Sequence, residues 1–158
     1  MTAAPPTRSI VFERFLEHPP EKVWRVLTEG PLLAAWLMPG DFRPVVGHHF
    51  SFRSKPAPNW SGLTEGEVLE VRPCERLVYS WRSSGEGVAL STTVTWTLTP
   101  TPTGALLRME QSGFQPQHDS NFRVAARAWP RFARQLEALL AGLPDRPGAL
   151  SQPSETRS

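Results

Sequence analysis

Apolar positions in the last third of the chain recur at three- and four-residue intervals. Between Ser120 and Leu143, Phe122, Ala125, Ala128, Trp129, Phe132, Leu136, Leu139, Leu140 and Leu143 fall on one side of a helical wheel. Arg123, Arg127, Arg131 and Arg134 fall on the other. The pattern predicts one helix of about 20 residues, roughly 30 Å long. Asp119 or Ser120 can cap its start, and Gly142 and Pro144 end it. Pro130 lies in the middle, removes one backbone donor, and is expected to bend or break the helix there.

Upstream of this helix the period is mostly two. Ile10–Phe15 reads as a first strand. Pro19-Pro20 then opens a short helix with Val23, Val26 and Leu27 inward, and a second short helix, LLAAWL, runs into Met38-Pro39-Gly40. His48–Arg53, Thr64–Arg72, Leu77–Arg82, Leu90–Thr99 and Ala105–Ser112 read as strands. Turns are expected at Pro73, at Gly85–Gly87 and from Pro100 to Gly104. In Leu90–Thr99 the alternation is clean: Val94, Trp96 and Leu98 share one face, Thr93, Thr95, Thr97 and Thr99 the other. This order predicts an α+β domain in which a strongly twisted antiparallel sheet wraps around the terminal helix. Such a sheet seldom closes fully on a single helix, and the gap becomes a pocket.

Length changes this picture little: 158 residues make one domain. Residues 1–8 and 144–158 are poor in apolar side chains and are expected to be loose tails around a domain spanning 9–143. No apolar run approaches a membrane span of ~20 residues, and the first residues, MTAAPPTRS, lack the apolar core of a signal peptide, so a cytoplasmic location is expected. A net charge of +2 is too small to argue for nucleic acid. The single cysteine, Cys74, excludes an internal disulfide.

Candidate chemistry is sparse. His48 and His49 are adjacent on a strand and point to opposite faces, so regular geometry cannot bring both to one metal ion. Neither Ser61-Gly62 nor Ser112-Gly113 sits in a G-x-S-x-G frame, and Gly85-Glu86-Gly87 does not continue as a nucleotide fingerprint. No catalytic residue, metal site or cofactor is therefore assigned. The aromatic side chains are more informative. Trp36, Trp60, Tyr79, Trp81, Trp96, Phe114 and Trp129 come from separate elements that converge in such a fold, where they can line a ligand cavity or fill the core. Strand parity groups Glu67 with Leu69 and Val71, and Gln111 with Leu107 and Met109; if those faces are inward, both polar groups reach the gap. The arginine stripe, Arg123, Arg127, Arg131 and Arg134, can dock an acidic protein partner or stand as a solvated face. An unpaired sheet edge near Ile10 or at the strand from Leu90 could support a homodimer.

The segments VWRVLTEGPLLAAWLMP, DFRPVVGHHFSFR, GEVLEVRPCERLVYSWR, TTVTWTLTPTPTGALLRMEQSGF and AWPRFARQLEALL, in this order, resemble the activator of heat-shock-protein-90 ATPase homologue family. That family belongs to the START-like (SRPBCC, birch-pollen-allergen-like) superfamily. The resemblance spans about Ile10 to Leu143 and departs from the family pattern at Cys74, where a second proline is more usual. It implies a helix-grip fold: a curved antiparallel sheet around a long C-terminal helix, with two short helices after the first strand. It also implies a cavity for an apolar or amphipathic small molecule. The expected lining is Trp36, Met38, Trp60, Glu67, Tyr79, Trp81, Trp96, Met109, Gln111, Phe114, Trp129 and Phe132. A ligand-binding protein without assigned catalysis is the leading expectation. A co-chaperone-like interaction module and a cyclase- or hydrolase-type enzyme are the alternatives.

Overall fold

A computed structural model of the chain describes residues 8–54, 62–83 and 90–144. Its elements are β1 (Arg8–Leu16), α1 (Pro20–Thr28), α2 (Gly30–Trp36), β2 (His49–Arg53), β3 (Leu63–Arg72), β4 (Arg76–Ser83), β5 (Leu90–Thr101), β6 (Gly104–Phe114) and α3 (Asp119–Gly142). The strands form one open, curved antiparallel sheet in the order β1-β6-β5-β4-β3-β2. This is the helix-grip arrangement: α3 lies along the concave face, and α1 and α2 carry the chain from one sheet edge to the other. Residues 1–7, 145–158 and the expected turn at Gly85–Gly87 lie outside the described residues. Arg8, expected in the tail, is the first residue of β1.

Alternation sets the concave face. Thr92, Val94, Trp96 and Leu98 of β5 lie beside Ala105, Leu107, Met109 and Gln111 of β6, and all eight are buried. Leu77, Tyr79 and Trp81 continue this face on β4. The opposite face carries Thr93, Thr95, Thr97 and Thr99 of β5 and Arg108, which sits 3.1 Å from Glu110 and 3.9 Å from Glu13. One end of the grip is closed by the short helices. Pro20 supplies the preset φ of a first helical residue, and Trp36 donates its indole N–H to the Val26 carbonyl (2.7 Å), fastening α2 to α1. Gly104 belongs to this end as well, because a Cβ there would run into the carbonyl of Leu16.

Three sequence expectations need correction. The turn placed at Pro100–Gly104 is shorter, since Thr101 pairs with Gly104 and Pro100 with Ala105. Proline is tolerated there because β5 pairs with β4 only as far as Thr97. The N–H of Leu98 reaches outward to the Glu75 carbonyl, and residue 100, two further on, would point the same way with no strand to meet. The second correction concerns β3. Val68 pairs with Tyr79 and Val71 with Leu77, so Leu69 and Glu70 on β3 oppose the single Val78 on β4, a bulge at Leu69. Parity read from Val71 back to Glu67 is therefore inverted. Third, Pro130 does not break α3, which is continuous from Asp119 to Gly142. Pro130 is exposed, and the carbonyl of Ala126, which loses its partner, is on an exposed residue too.

Burial along α3 is uneven. From Trp129 onward a residue is buried every three or four positions: Trp129, Ala133, Leu136 and Leu140. None of the described side chains from Asp119 to Ala128 is buried to that degree, and Val124 is 60% exposed. Leu136 and Leu140 each contribute about 1.5–3 kcal/mol from apolar burial. The second half of α3 is therefore the part seated in the sheet.

Candidate functional site

Trp129 enters the concave face at the boundary between the two halves of α3. Its ring meets Phe12, Trp81, Trp96 and Phe132 at centroid distances of 6.2, 5.8, 5.8 and 5.6 Å. From the closed end, Trp36 stands edge-on to Trp96 at 5.8 Å. Trp96 in turn donates its indole N–H to the Tyr79 hydroxyl, 2.9 Å. Burial pushes the Tyr79 phenol well above its ordinary pKa, and the hydrogen bond from Trp96 offsets only part of this. Tyr79 thus keeps its proton and serves as the acceptor for the Trp96 indole. Phe50, Phe52 and Phe42 complete the aromatic layer around Tyr79.

Against this apolar wall runs one polar relay. Gln111, 1% exposed, accepts the Trp129 indole N–H on Oε1 at 2.7 Å. Its Nε2 donates to the Thr92 hydroxyl at 2.9 Å, and that hydroxyl donates to the Trp81 carbonyl at 3.1 Å. The relay links β6, β5, β4 and α3, and the helix segment above it is the half in which no described side chain is buried. Buried amides survive in apolar surroundings only when bonded, and two of the four bonds open to this amide are made here.

Residues 17–141 match the family model described as Activator of Hsp90 ATPase homolog 1-like protein. The chain belongs to that family. Its START-like superfamily fold follows, as the helix-grip architecture already indicated. MLL2253 from Mesorhizobium loti is 45% identical with a TM-score of 0.80, the match covering 87% of this chain and 99% of that one. CV1439 from Chromobacterium violaceum is 28% identical with a TM-score of 0.67, covering 84% of this chain and 96% of that one. CalU16 from Micromonospora echinospora is 22% identical with a TM-score of 0.68, covering 86% and 78%, a likeness of fold alone. No curated protein matches the chain.

Within this member of the activator of Hsp90 ATPase homolog 1-like family, Trp36, Met38, Tyr79, Trp81, Trp96, Met109, Gln111, Phe114 and Trp129 are buried and Phe132 is partly buried. Most of them converge on the concave face. Phe114 stands apart at the far end of β6, edge-on to Phe122 at 5.2 Å, with the Arg8 guanidinium over Phe122. Trp60 lies outside the described residues. Glu67 does not reach the concave face: it shares the outer face of β3 with Glu65 and Leu69, which is 46% exposed, because of the bulge. His48 turns its Nε2 to the Asp41 carbonyl at 2.8 Å, and His49 is exposed. Among the described residues no three His, Cys, Asp or Glu side chains gather as a metal site, and no helix is long and apolar enough to cross a membrane. Arg123, Arg127, Arg131 and Arg134 are all exposed, Arg123 pairing with Asp119 at 3.3 Å.

Thr92 and Lys22 are two of the buried polar residues missed from the sequence. Thr92 was legible, since it shares parity with Val94 and Trp96. Lys22 was not: it is buried within α1, its Nζ 3.0 Å from His18 Nδ1, and nothing beyond the four-residue spacing to His18 hints at it.

Proposed function

We propose that this protein binds an apolar or amphipathic small molecule between the sheet and the first half of α3. The observation that carries this is the placement of a buried amide relay, Trp129–Gln111–Thr92, beneath a helix segment in which no described side chain is buried. An apolar wall with one or two fixed polar groups is the usual composition of a small-molecule site. Ala125 and Ala128 leave room for a ligand to shift this segment, and Pro130 marks where it can pivot. Aromatic rings packed on Trp129 give the binding event a direct optical signal. Titration with a panel of neutral aromatic and aliphatic compounds is expected to change tryptophan emission, and a silent panel would count against the reading. Trp36, Met38, Tyr79, Trp81, Trp96, Met109, Phe114 and Phe132 belong to the proposed wall, with no assigned catalysis.

A second reading is docking of an acidic protein partner on the outer face of α3, in keeping with the family's description. Four exposed arginines beside the exposed Val124 favour it. Unchanged chaperone pull-down and unchanged ATPase stimulation by an Arg127→Glu, Arg131→Glu double variant would exclude it.

A further inference from the structure

We infer that the site takes a neutral, largely apolar molecule carrying a hydrogen-bond acceptor, a carbonyl oxygen being the simplest, and that Gln111 selects for it. This rests on the binding site proposed above.

Proton direction along the relay is the basis. An indole N–H can only donate, so Oε1 of Gln111 must face Trp129, and the amide cannot be turned over. Nε2 therefore faces Thr92 and gives it one proton. Thr92 gives its own proton to the Trp81 carbonyl. Every proton of the relay is then committed except the second N–H of Gln111. Lone pairs also remain on Gln111 Oε1 and Thr92 Oγ1, but a half-used oxygen is common inside proteins, whereas a buried N–H without an acceptor is rare. The group that calls for a partner is the donor.

Charge then narrows the class. No arginine is fully buried among the described residues: Arg25, on α1 at the closed end, buries one guanidinium nitrogen and pairs with Glu29 through another, and the buried lysine, Lys22, is held by His18 at the same end. That end is fixed by Gly104, which packs against Leu16 and His18. Gln111 lies seven residues further along β6, roughly 23 Å at the rise of a strand. The other buried basic side chain, His118, turns Nδ1 onto the backbone N–H of Gln115 at 3.2 Å. A carboxylate at Gln111 would meet no buried lysine or arginine, and burying it unpaired is costly. A ketone, ester or amide oxygen asks only for the N–H that Gln111 holds spare.

The test compares acetylnaphthalene, ethylnaphthalene and naphthoate on wild type and Gln111→Met by tryptophan-fluorescence titration. The two neutral probes have similar shape and differ in the acceptor. The ratio of acetyl to ethyl affinity is expected to fall by about tenfold in Gln111→Met, with naphthoate weaker than acetylnaphthalene in wild type. An unchanged ratio, with both neutral probes bound, would overturn the inference and leave the binding site standing; no binding of either to wild type would overturn both. Should Gln111→Met fail to fold, NMR of the wild-type Gln111 side-chain amide decides. One amide proton is expected to move downfield with acetylnaphthalene and not with ethylnaphthalene, and equal responses to both would sink the idea.

Discussion

The two halves of α3 share one helix and one sheet beneath, yet they meet that sheet in different ways. Past Trp129 the helix inserts Ala133, Leu136 and Leu140 among the side chains of the concave face, and Arg14 reaches across to Glu137 at 3.0 Å. Before Trp129 it offers Phe122, Ala125 and Ala128, all partly buried, above Gln111 and Thr92. Apolar packing without polar partners makes an anchor, since every lost methylene is felt. Polar groups under small residues make a seat that can exchange one partner for another. The same contrast appears in the sheet, where the closed end is sealed by α1 and α2 and the relay end faces the less buried part of α3.

Substitutions along α3 are the strongest way to break this contrast. Leu140→Ala is expected to cost about 2–5 kcal/mol of stability, and Phe122→Ala clearly less, both read by urea unfolding; equal costs would erase the distinction between the two halves of α3. Next in size is Tyr79→Phe, which strips the Trp96 indole of its acceptor and should cost about 1–3 kcal/mol. Tyr79 also makes a pH prediction. Its folded pKa is raised, so above pH ~10 the unfolded chain loses a proton that the folded chain keeps. Stability should then fall with pH, by about 1.4 kcal/mol per unit from this group, and Tyr79→Phe should lack that contribution. Because the chain has one tyrosine, tyrosinate absorbance reports it directly and is expected only as the protein unfolds.

Smaller effects sharpen the closed end. Residues Arg72-Pro73-Cys74-Glu75 form a turn closed by the Glu75 N–H on the Arg72 carbonyl, with Cys74 at φ 63°. Proline before a left-handed residue is the type II pattern, which favours glycine at the third position. A proline at position 74 is incompatible with this φ. Cys74→Gly should raise stability by about 1 kcal/mol, seen as a higher melting temperature. Arg14→Ala, which removes the half-exposed pair with Glu137, should cost only about 0.2–1 kcal/mol.

Much of this architecture was legible in the chain because periodicity survives folding. The stripe from Phe122 to Leu143 set α3 to within a residue, and the alternation of Val94, Trp96 and Leu98 set the concave face of β5. Gln111 was found by the same parity. Glu67 was misplaced by a single inserted residue, Leu69, because a bulge leaves no reliable mark in a strand already rich in apolar residues. Lys22 could not be read at all: a lysine on a short helix looks like a solvated residue until His18 is seen beside it. The direction of the relay also needed three dimensions, since which atom of Gln111 faces Trp129 is set by a partner 18 residues away.

Residue-resolved hydrogen exchange along α3 in the ligand-free protein tests the central claim most directly. Amides from Asn121 to Trp129 should exchange at least about tenfold faster than those from Phe132 to Ala141, because only the second half is locked by buried side chains. Equal protection on both sides of Pro130 would contradict the account.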